Sequence, residues 1–374
     1  MPYRVIQWGT GNVGRHALRM IIERPDFELA GVRVYNPDKI GKDAGELLGV
    51  EPTGIIATDD DDAIDALDAD CVCYTPLGTT LDDYTQPLDD ICRLLASGKN
   101  VVSSAVEYFG YLEPGIAPGR LGPDAAARIA AACAEGGTSF YEGGINPGFA
   151  MDLWPLTLSR VCRRIDHVRA IEVVDMKDAT SVQIMRHYIG FGMAPDYVTP
   201  LDLQLSVVED SAFYLSIRMI ADGLGLELDH VTYFREVALA RDPIDTGTGL
   251  LEPGTVAAIK MRLDGTRAGE VLITLEYVWR MSDDVAPEWP SGASRWILEI
   301  AGDPRVESEL VLSTTEDSGR AVSLAVATLN LNAVPAVCAA SPGALNNLTI
   351  PPHAGGYFLP PEAPCATTVR RSAT

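Results

Sequence analysis

Apolar and polar positions follow two alternating rhythms over the first third of the chain. "YRVIQWG" is a short β-rich run, "NVGRHALRMIIE" spaces its apolar residues along one helical face, and "FELAGVRVY" returns to strand character. "ADCVCYTP" reads as a buried strand ending in a turn, "LDDICRLLASG" as a helix and "NVVSSA" as a strand; the helix "GPDAAARIAAACAEGG" and the strand "TSFYEGG" follow. Strands alternating with helices predict a parallel sheet covered on both faces, with right-handed crossovers. Residues 1–145 are therefore expected to form an α/β domain.

The texture changes at "GINPGFAMDLWPL". A long helical stretch, "VVEDSAFYLSIRMIADGLG", precedes the strands "HVTYFREVALA", "TVAAIKMRLDG" and "GEVLITLEYVWRM", with "DGTRAG" as a hairpin connection. This predicts a second, α+β domain with a mixed or antiparallel sheet over 146–325. Residues 326–374 form a last segment. The helix "AVSLAVATLNLNAVPAVCAA" that leads into it is apolar on most sides and is expected to return to the first domain, and the Pro, Gly and Thr-rich tail "NNLTIPPHAGGYFLPPEAPCATTVRRSAT" is expected to be extended or partly disordered.

Between the first strand and helix, Gly9, Gly11 and Gly14 make the G-x-G-x-x-G pattern. Gly9 allows a tight turn, Gly11 lets the backbone approach a pyrophosphate, and Gly14 lets helix and strand pack closely. The first domain thus reads as a Rossmann dinucleotide-binding domain, with Thr10, Asn12, Val13 and Arg15 completing the loop. A glycine-rich turn without a ligand is the alternative. Where an NAD-selective site usually has an acid, the second strand ends in Asn36, followed by Pro37, Asp38 and Lys39. With no carboxylate to repel a 2′-phosphate, and with Arg15 and Lys39 nearby, NADP is expected to be accepted, alongside or instead of NAD. Both residues as ordinary solvated cations is the other reading. Thr75 and Pro76, ending "CVCYTP", are expected to line the cofactor trough.

Composition narrows the partners. The net charge of −23 argues against nucleic acid and anionic membranes, while a pyrophosphate can still bind locally at a helix start. The seven cysteines are scattered and lack a CxxC pair, and no secretory signal or apolar stretch of membrane length is read, so a cytoplasmic protein is expected. The five histidines are far apart with no HExxH, so no metal site is expected; SxxK and GxSxG patterns are also missing.

Ligands of such sheets bind beyond the carboxyl ends of the strands. There the chain reads "SGKNVVSSAVEYFGYLEP", where Glu107 is a single acid followed by aromatic residues. No lysine follows it, unlike the Glu-Lys-Pro of glucose–fructose type oxidoreductases, and no His-His pair matches dihydrodipicolinate reductases. A carboxylate here can hold ammonium, accept a proton and stabilise an iminium; a loop carboxylate paired with a surface cation is the plain alternative.

Four segments, "GTGNVGR", "VVSSAVEYFGY", "EGGINPGF" and "NAVPAVCAASPG", together resemble the native amine dehydrogenases, relatives of 2,4-diaminopentanoate dehydrogenase. The resemblance implies a Rossmann domain, an α+β substrate domain and a homodimer. It also implies reversible NAD(P)-dependent interconversion of an aldehyde or ketone plus ammonia with an amine, and it places the catalytic glutamate on Glu107.

Asn146 is expected either to contact the nicotinamide or clamp its loop, or to form an Asx turn or helix N-cap. Asn332 is expected to reach the nicotinamide amide or to be a satisfied buried polar group. Tyr108, Phe140, Tyr141, Phe149, Met176 and Tyr188, with the Trp279 strand, are candidates for an apolar substrate pocket, or else core. No arginine is clearly placed to clamp an α-carboxylate; Arg186 and Arg280 are not located by the pattern. Competing functions are an imine or carbonyl reductase and a non-catalytic dinucleotide-sensing protein.

Overall fold

The alternation of the first third becomes a six-stranded, all-parallel sheet in the computed structural model, which describes residues 1–76, 84–113, 124–314 and 321–356. Strand β1 (Tyr3–Trp8) leads into helix α1 (Asn12–Glu23), and β2 (Phe27–Arg33) pairs parallel to β1. Short helices α2 (Ala44–Leu48) and α3 (Asp61–Asp65) precede β3 (Cys71–Tyr74); α4 (Thr85–Ala96), β4 (Asn100–Ser103), α5 (Ala125–Gly136) and β5 (Ser139–Glu142) follow. Successive side chains on a strand point to opposite faces. Ile6, Trp8, Val72 and Phe140 accordingly pack on α4 and α5, while Val5, Cys71, Cys73 and Tyr141 pack on α1 and the last helix.

The second sheet is built from β6 (Arg164–Asp175), β7 (His230–Leu239), β8 (Val256–Arg267), β9 (Glu270–Arg280), β10 (Arg295–Asp303) and β11 (Val306–Val311). Its order is β11-β10-β6-β9-β8-β7, antiparallel except for the parallel β6–β9 pair. Helices α6 (Leu153–Ser159), α7 (Pro200–Leu205) and α8 (Ala212–Gly223) occur in this part of the chain. Helix α8 joins the two cores: Ile217 and Ile220 pack with the second sheet, Leu215 and Met219 with the first.

Helix α9 (Ala321–Ala339) returns to the first domain and lies against α1, β3, β4 and β5. It is long and apolar enough to cross a membrane by length and composition, contrary to the expectation that no stretch would be. Its Leu331, Val334 and Val337 are fully buried, each burial stabilising by about 1.5–3 kcal/mol, and it serves as a core helix. Beyond it β12 (Gly343–Leu345) adds a parallel edge strand beside β5, just before the Pro, Gly and Thr-rich tail. The tail from 357 on lies outside the described residues.

Two further expectations are corrected. The long helix predicted from 207 forms only over α8, because Ser211 accepts a hydrogen bond from the Phe213 amide and starts a new helix after a 3-10 turn. The hairpin connection is tighter than "DGTRAG": β8 runs to Arg267 and β9 starts at Glu270. That leaves Ala268 and Gly269, both at positive φ, as a two-residue turn whose twist suits the flanking strands.

Candidate active site

Gly9, at φ +88°, turns the chain out of β1 beneath Pro76. A Cβ on Gly14 would sit 2.1 Å from the Gly9 carbonyl oxygen and 2.6 Å from Thr75 Oγ1, so helix and loop touch only because that residue is glycine. Gln7, which the sequence pattern does not single out, braces this contact from inside the sheet. Its Nε2 donates to Gly9 O and to Thr75 Oγ1, each at 2.8 Å, while Thr75 Oγ1 donates to Trp8 O.

Gly11 caps α1 with no side-chain partner for the helix-start amides, and a Cβ there would meet nothing within 4 Å. A free helix N-terminus facing open space is what a pyrophosphate requires, so these residues fit a dinucleotide. Gly9, Thr10, Gly11, Asn36, Lys39, Thr75 and Pro76 border one cavity of 330 Å³. Lys39 Nζ donates to Thr10 O at 2.8 Å and to Thr10 Oγ1 at 3.0 Å, tying the end of β2 to the phosphate loop. Asn36 is exposed and its Oδ1 accepts from the Asp38 amide; Asn12 and Arg15 are exposed on the first turn of α1, and Val13 packs into the core beside α9.

A second cavity, of 490 Å³, lies where the carboxyl ends of β4 and β5 face the second sheet. Three glutamates border it. Glu107 opens the 3-10 turn Glu107–Gly110 after β4 and is partly exposed. Glu142 ends β5; its Oε1 accepts from the Val106 amide at 3.1 Å, while its buried Oε2 has no hydrogen-bond partner. Burial raises the Glu142 carboxyl well above the ordinary range, and the neighbouring Glu107 adds to the rise.

Glu172, from the middle of β6, accepts from Asn146 Nδ2 at 2.8 Å, Trp279 Nε1 at 3.0 Å and Trp296 Nε1 at 2.9 Å. Its carboxyl is also raised by burial, against the pull of those donors.

Of the expected pocket residues, Tyr188 borders this cavity and donates its hydroxyl to Gln204, another lining residue. Tyr108 lies under it in the core, its hydroxyl donating to Asp210 O at 3.1 Å and accepting from Gln204 Nε2. Phe140 is core, edge-on to Phe109, because its side chain leaves β5 on the face opposite Tyr141. Tyr141 donates to Asn347 Oδ1 at 2.7 Å, and Asn347 Nδ2 in turn donates to Gly148 O, pinning the domain junction. Phe149 and Met176 pack into the core of the second domain. Phe140, Tyr141, Tyr108, Phe149 and Met176 are thus not among the residues bordering the cavity.

Asn146 does border the cavity, but it bonds Glu172 through its amide and caps no helix, since Asp152 caps α6. Asn332 takes the second of its two readings, a satisfied polar group: it is partly buried, and its Oδ1 accepts from Arg24 at 2.6 Å at the far end of α1, the end away from the glycine loop. Arg280 is spent on backbone carbonyls, including that of Pro290, and Arg186 donates to Leu250 O; neither borders the cavity.

Sequence reasoning missed Glu142, Glu172, Gln204 and Trp296. An acid at the carboxyl end of a buried parallel strand, as in "SFYE", is the signal that could have found Glu142.

A family model described as the 2,4-diaminopentanoate dehydrogenase C-terminal domain matches residues 149–355. An amine dehydrogenase of Streptomyces virginiae is 34% identical over 355 residues, covering 92% of this chain and 95% of the relative. The chain belongs to the amine dehydrogenase family. It is an NAD(P)-dependent oxidoreductase of that type. The 2,4-diaminopentanoate dehydrogenase of Acetoanaerobium sticklandii is a more distant relative, 24% identical over 366 residues and covering 93% of each chain. The amine dehydrogenase structure from Mycobacterium smegmatis has the same fold, with a TM-score of 0.70 at 18% identity over 94% of this chain and 97% of that one.

Proposed function

We propose that this protein catalyses the reversible reductive amination of a small aldehyde or ketone lacking an α-carboxylate, with ammonia as nitrogen donor. The observation carrying this reading is the 490 Å³ cavity, whose described lining residues include Glu107, Glu142 and Glu172 but no Arg, Lys or His. A substrate carboxylate placed there would lose its hydration without gaining a cation, whereas ammonium and iminium groups are favoured.

Glu107 holds ammonium at the mouth of the cavity and accepts a proton from it as the nitrogen attacks the carbonyl. Loss of water from the carbinolamine leaves an iminium, whose positive charge the Glu107 carboxylate stabilises. The glycine loop and the α1 N-terminus would hold the pyrophosphate of a nicotinamide dinucleotide, which would supply the hydride. In the oxidative direction Glu107 activates water against the same iminium. Residues such as Trp279, Leu215 and Val326 give the cavity apolar walls that exclude competing water.

The same reading makes the protein a cytoplasmic homodimer that accepts NADP. Six free cysteines among the described residues support a reducing compartment, and the lack of a carboxylate at the tip of β2 supports NADP.

The test follows oxidation of NADPH and NADH with short aldehydes and cyclic ketones, with and without excess ammonium. Oxidation that requires ammonium is expected. Equal oxidation without it would make the protein a carbonyl reductase instead.

A further inference from the structure

The reductive amination proposed above needs an acid as well as a base. The hydroxyl of a carbinolamine leaves only as water, so a proton must reach that oxygen, either from Glu107 once it has taken a proton from ammonium or from a carboxyl that is already protonated when the substrate binds. The cavity offers a second carboxyl. Glu142 borders it beside Glu107 and is about nine-tenths buried, with 6% of its surface exposed. One of its oxygens is held by the Val106 amide, and the other, Oε2, lacks a hydrogen-bond partner.

We propose that Glu142 is a second catalytic residue, a neutral acid whose carboxyl gives its proton to the carbinolamine hydroxyl while Glu107 serves as the base. Among the described residues, the groups facing it are Glu107, the Ser103 hydroxyl and the Val106 amide, with Tyr141 next to it in sequence on the opposite face of β5, and none of these is a cation that would hold it ionised. Desolvation favours its protonated form and outweighs the opposing hydrogen bonds from the Ser103 hydroxyl and the Val106 amide, and the neighbouring Glu107 charge adds to it, which suits a donor.

The step balances within the pair. Ammonium gives one proton to Glu107 and attacks the carbonyl carbon, and proton transfer within the adduct yields the neutral carbinolamine. Its C–O bond then breaks as the nitrogen lone pair forms the C=N bond. The hydroxyl leaves as water with the proton of Glu142, and the proton held on Glu107 passes to the Glu142 carboxylate. Ammonium and carbonyl have become iminium and water, and both carboxyls are restored with no net proton exchanged.

This inference rests on the reading of the site as an aminating one, and the experiment separates the two. Parent chain and Glu142→Gln are compared on a carbonyl plus ammonium and on a preformed cyclic imine, whose reduction skips dehydration. Glutamine keeps the acceptor for Val106 but has no carboxyl proton. Amination is expected to fall roughly 100-fold or more, with imine reduction within about twofold of the parent. Equal loss on both substrates would make Glu142 a structural brace for the Glu107 turn and overturn the proposal, as would no loss on either.

A parent chain showing no ammonium dependence removes the aminating reading, and this acid with it. If the glutamine variant does not fold, Glu142→Asp carries the same split, because it keeps the acid but withdraws it by one methylene. Unequal loss supports the proposal, and equal loss overturns it. Cofactor fluorescence titration of each variant is expected to match the parent.

Discussion

The backbone amide of Val106 donates to Glu142 Oε1 at 3.1 Å, so a buried carboxyl at the end of β5 holds the chain one residue before Glu107. The site is therefore a pair of strand ends locked to each other. Glu107 is placed by β4 and its 3-10 turn, and that turn is placed by β5.

Two glycine substitutions separate cofactor binding from folding. Gly11→Val points a side chain into open space, so stability should be unchanged while NADPH affinity falls at least tenfold through its block on the pyrophosphate. Gly14→Ala drives a Cβ against Gly9 O and Thr75 Oγ1, so it should cost about 1–3 kcal/mol of stability as well as affinity. Urea unfolding and fluorescence titration of both variants decide this; equal stability of the two would contradict the packing argument.

Coenzyme choice should reverse at the tip of β2. Asn36 borders the 330 Å³ cavity together with Lys39 and the glycine loop. Asn36→Asp places a like charge near a 2′-phosphate and should weaken NADPH binding by roughly tenfold or more while sparing NADH. Parallel titrations with the two coenzymes check it.

Glu172 should matter to stability before it matters to chemistry. Glu172→Ala leaves the indole N–H groups of Trp279 and Trp296 without their acceptor in a buried setting, an expected loss of about 2–5 kcal/mol. Glu172→Gln keeps one acceptor oxygen and should cost less. A urea series on both variants gives the order.

The buried carboxyls set the sign of the pH dependence. Glu142, Glu172 and Asp152 all have carboxyls raised by burial in the folded protein, so the native state holds protons that the unfolded chain releases. Their contribution to stability is fully present below the unfolded values, 4.5 for the glutamates and 3.8 for the aspartate, and is lost as pH rises through the folded values. Glu142→Gln should flatten that decline above pH 4.5 in unfolding measured across a pH series, and an unchanged slope would contradict the raised value.

The glycine loop, the parallel sheet and the position of Glu107 were legible because each is local: the motif sits between a strand and a helix a few residues apart. The far wall of the cavity was not. β6 alternates Arg164, Asp166, His167 and Arg169 with apolar residues, which masks a central strand, and so Glu172 went unseen in its middle. Aromatic residues beside Glu107 and in "TSFYEGG" suggest a pocket, but Tyr108 and Phe140 turn into the core because neighbouring strand and turn positions face opposite ways. Asn332 satisfies a partner at the far end of α1 and does not reach the cofactor, for a related reason. Helix α9 does return to the first domain, but it runs parallel to α1, pairing Thr328 with Met20 and Asn332 with Arg24, so its later residues move away from the glycine loop.

We propose Glu107 as the base of an ammonium-dependent hydride transfer. Glu107→Gln, nearly the same size but unable to take a proton, should be compared with the parent chain for ammonium-dependent NADPH and NADH oxidation, with cofactor affinity measured alongside. A loss of roughly 100-fold or more in turnover, with cofactor affinity unchanged, is expected. A variant that aminates at the parent rate would contradict it.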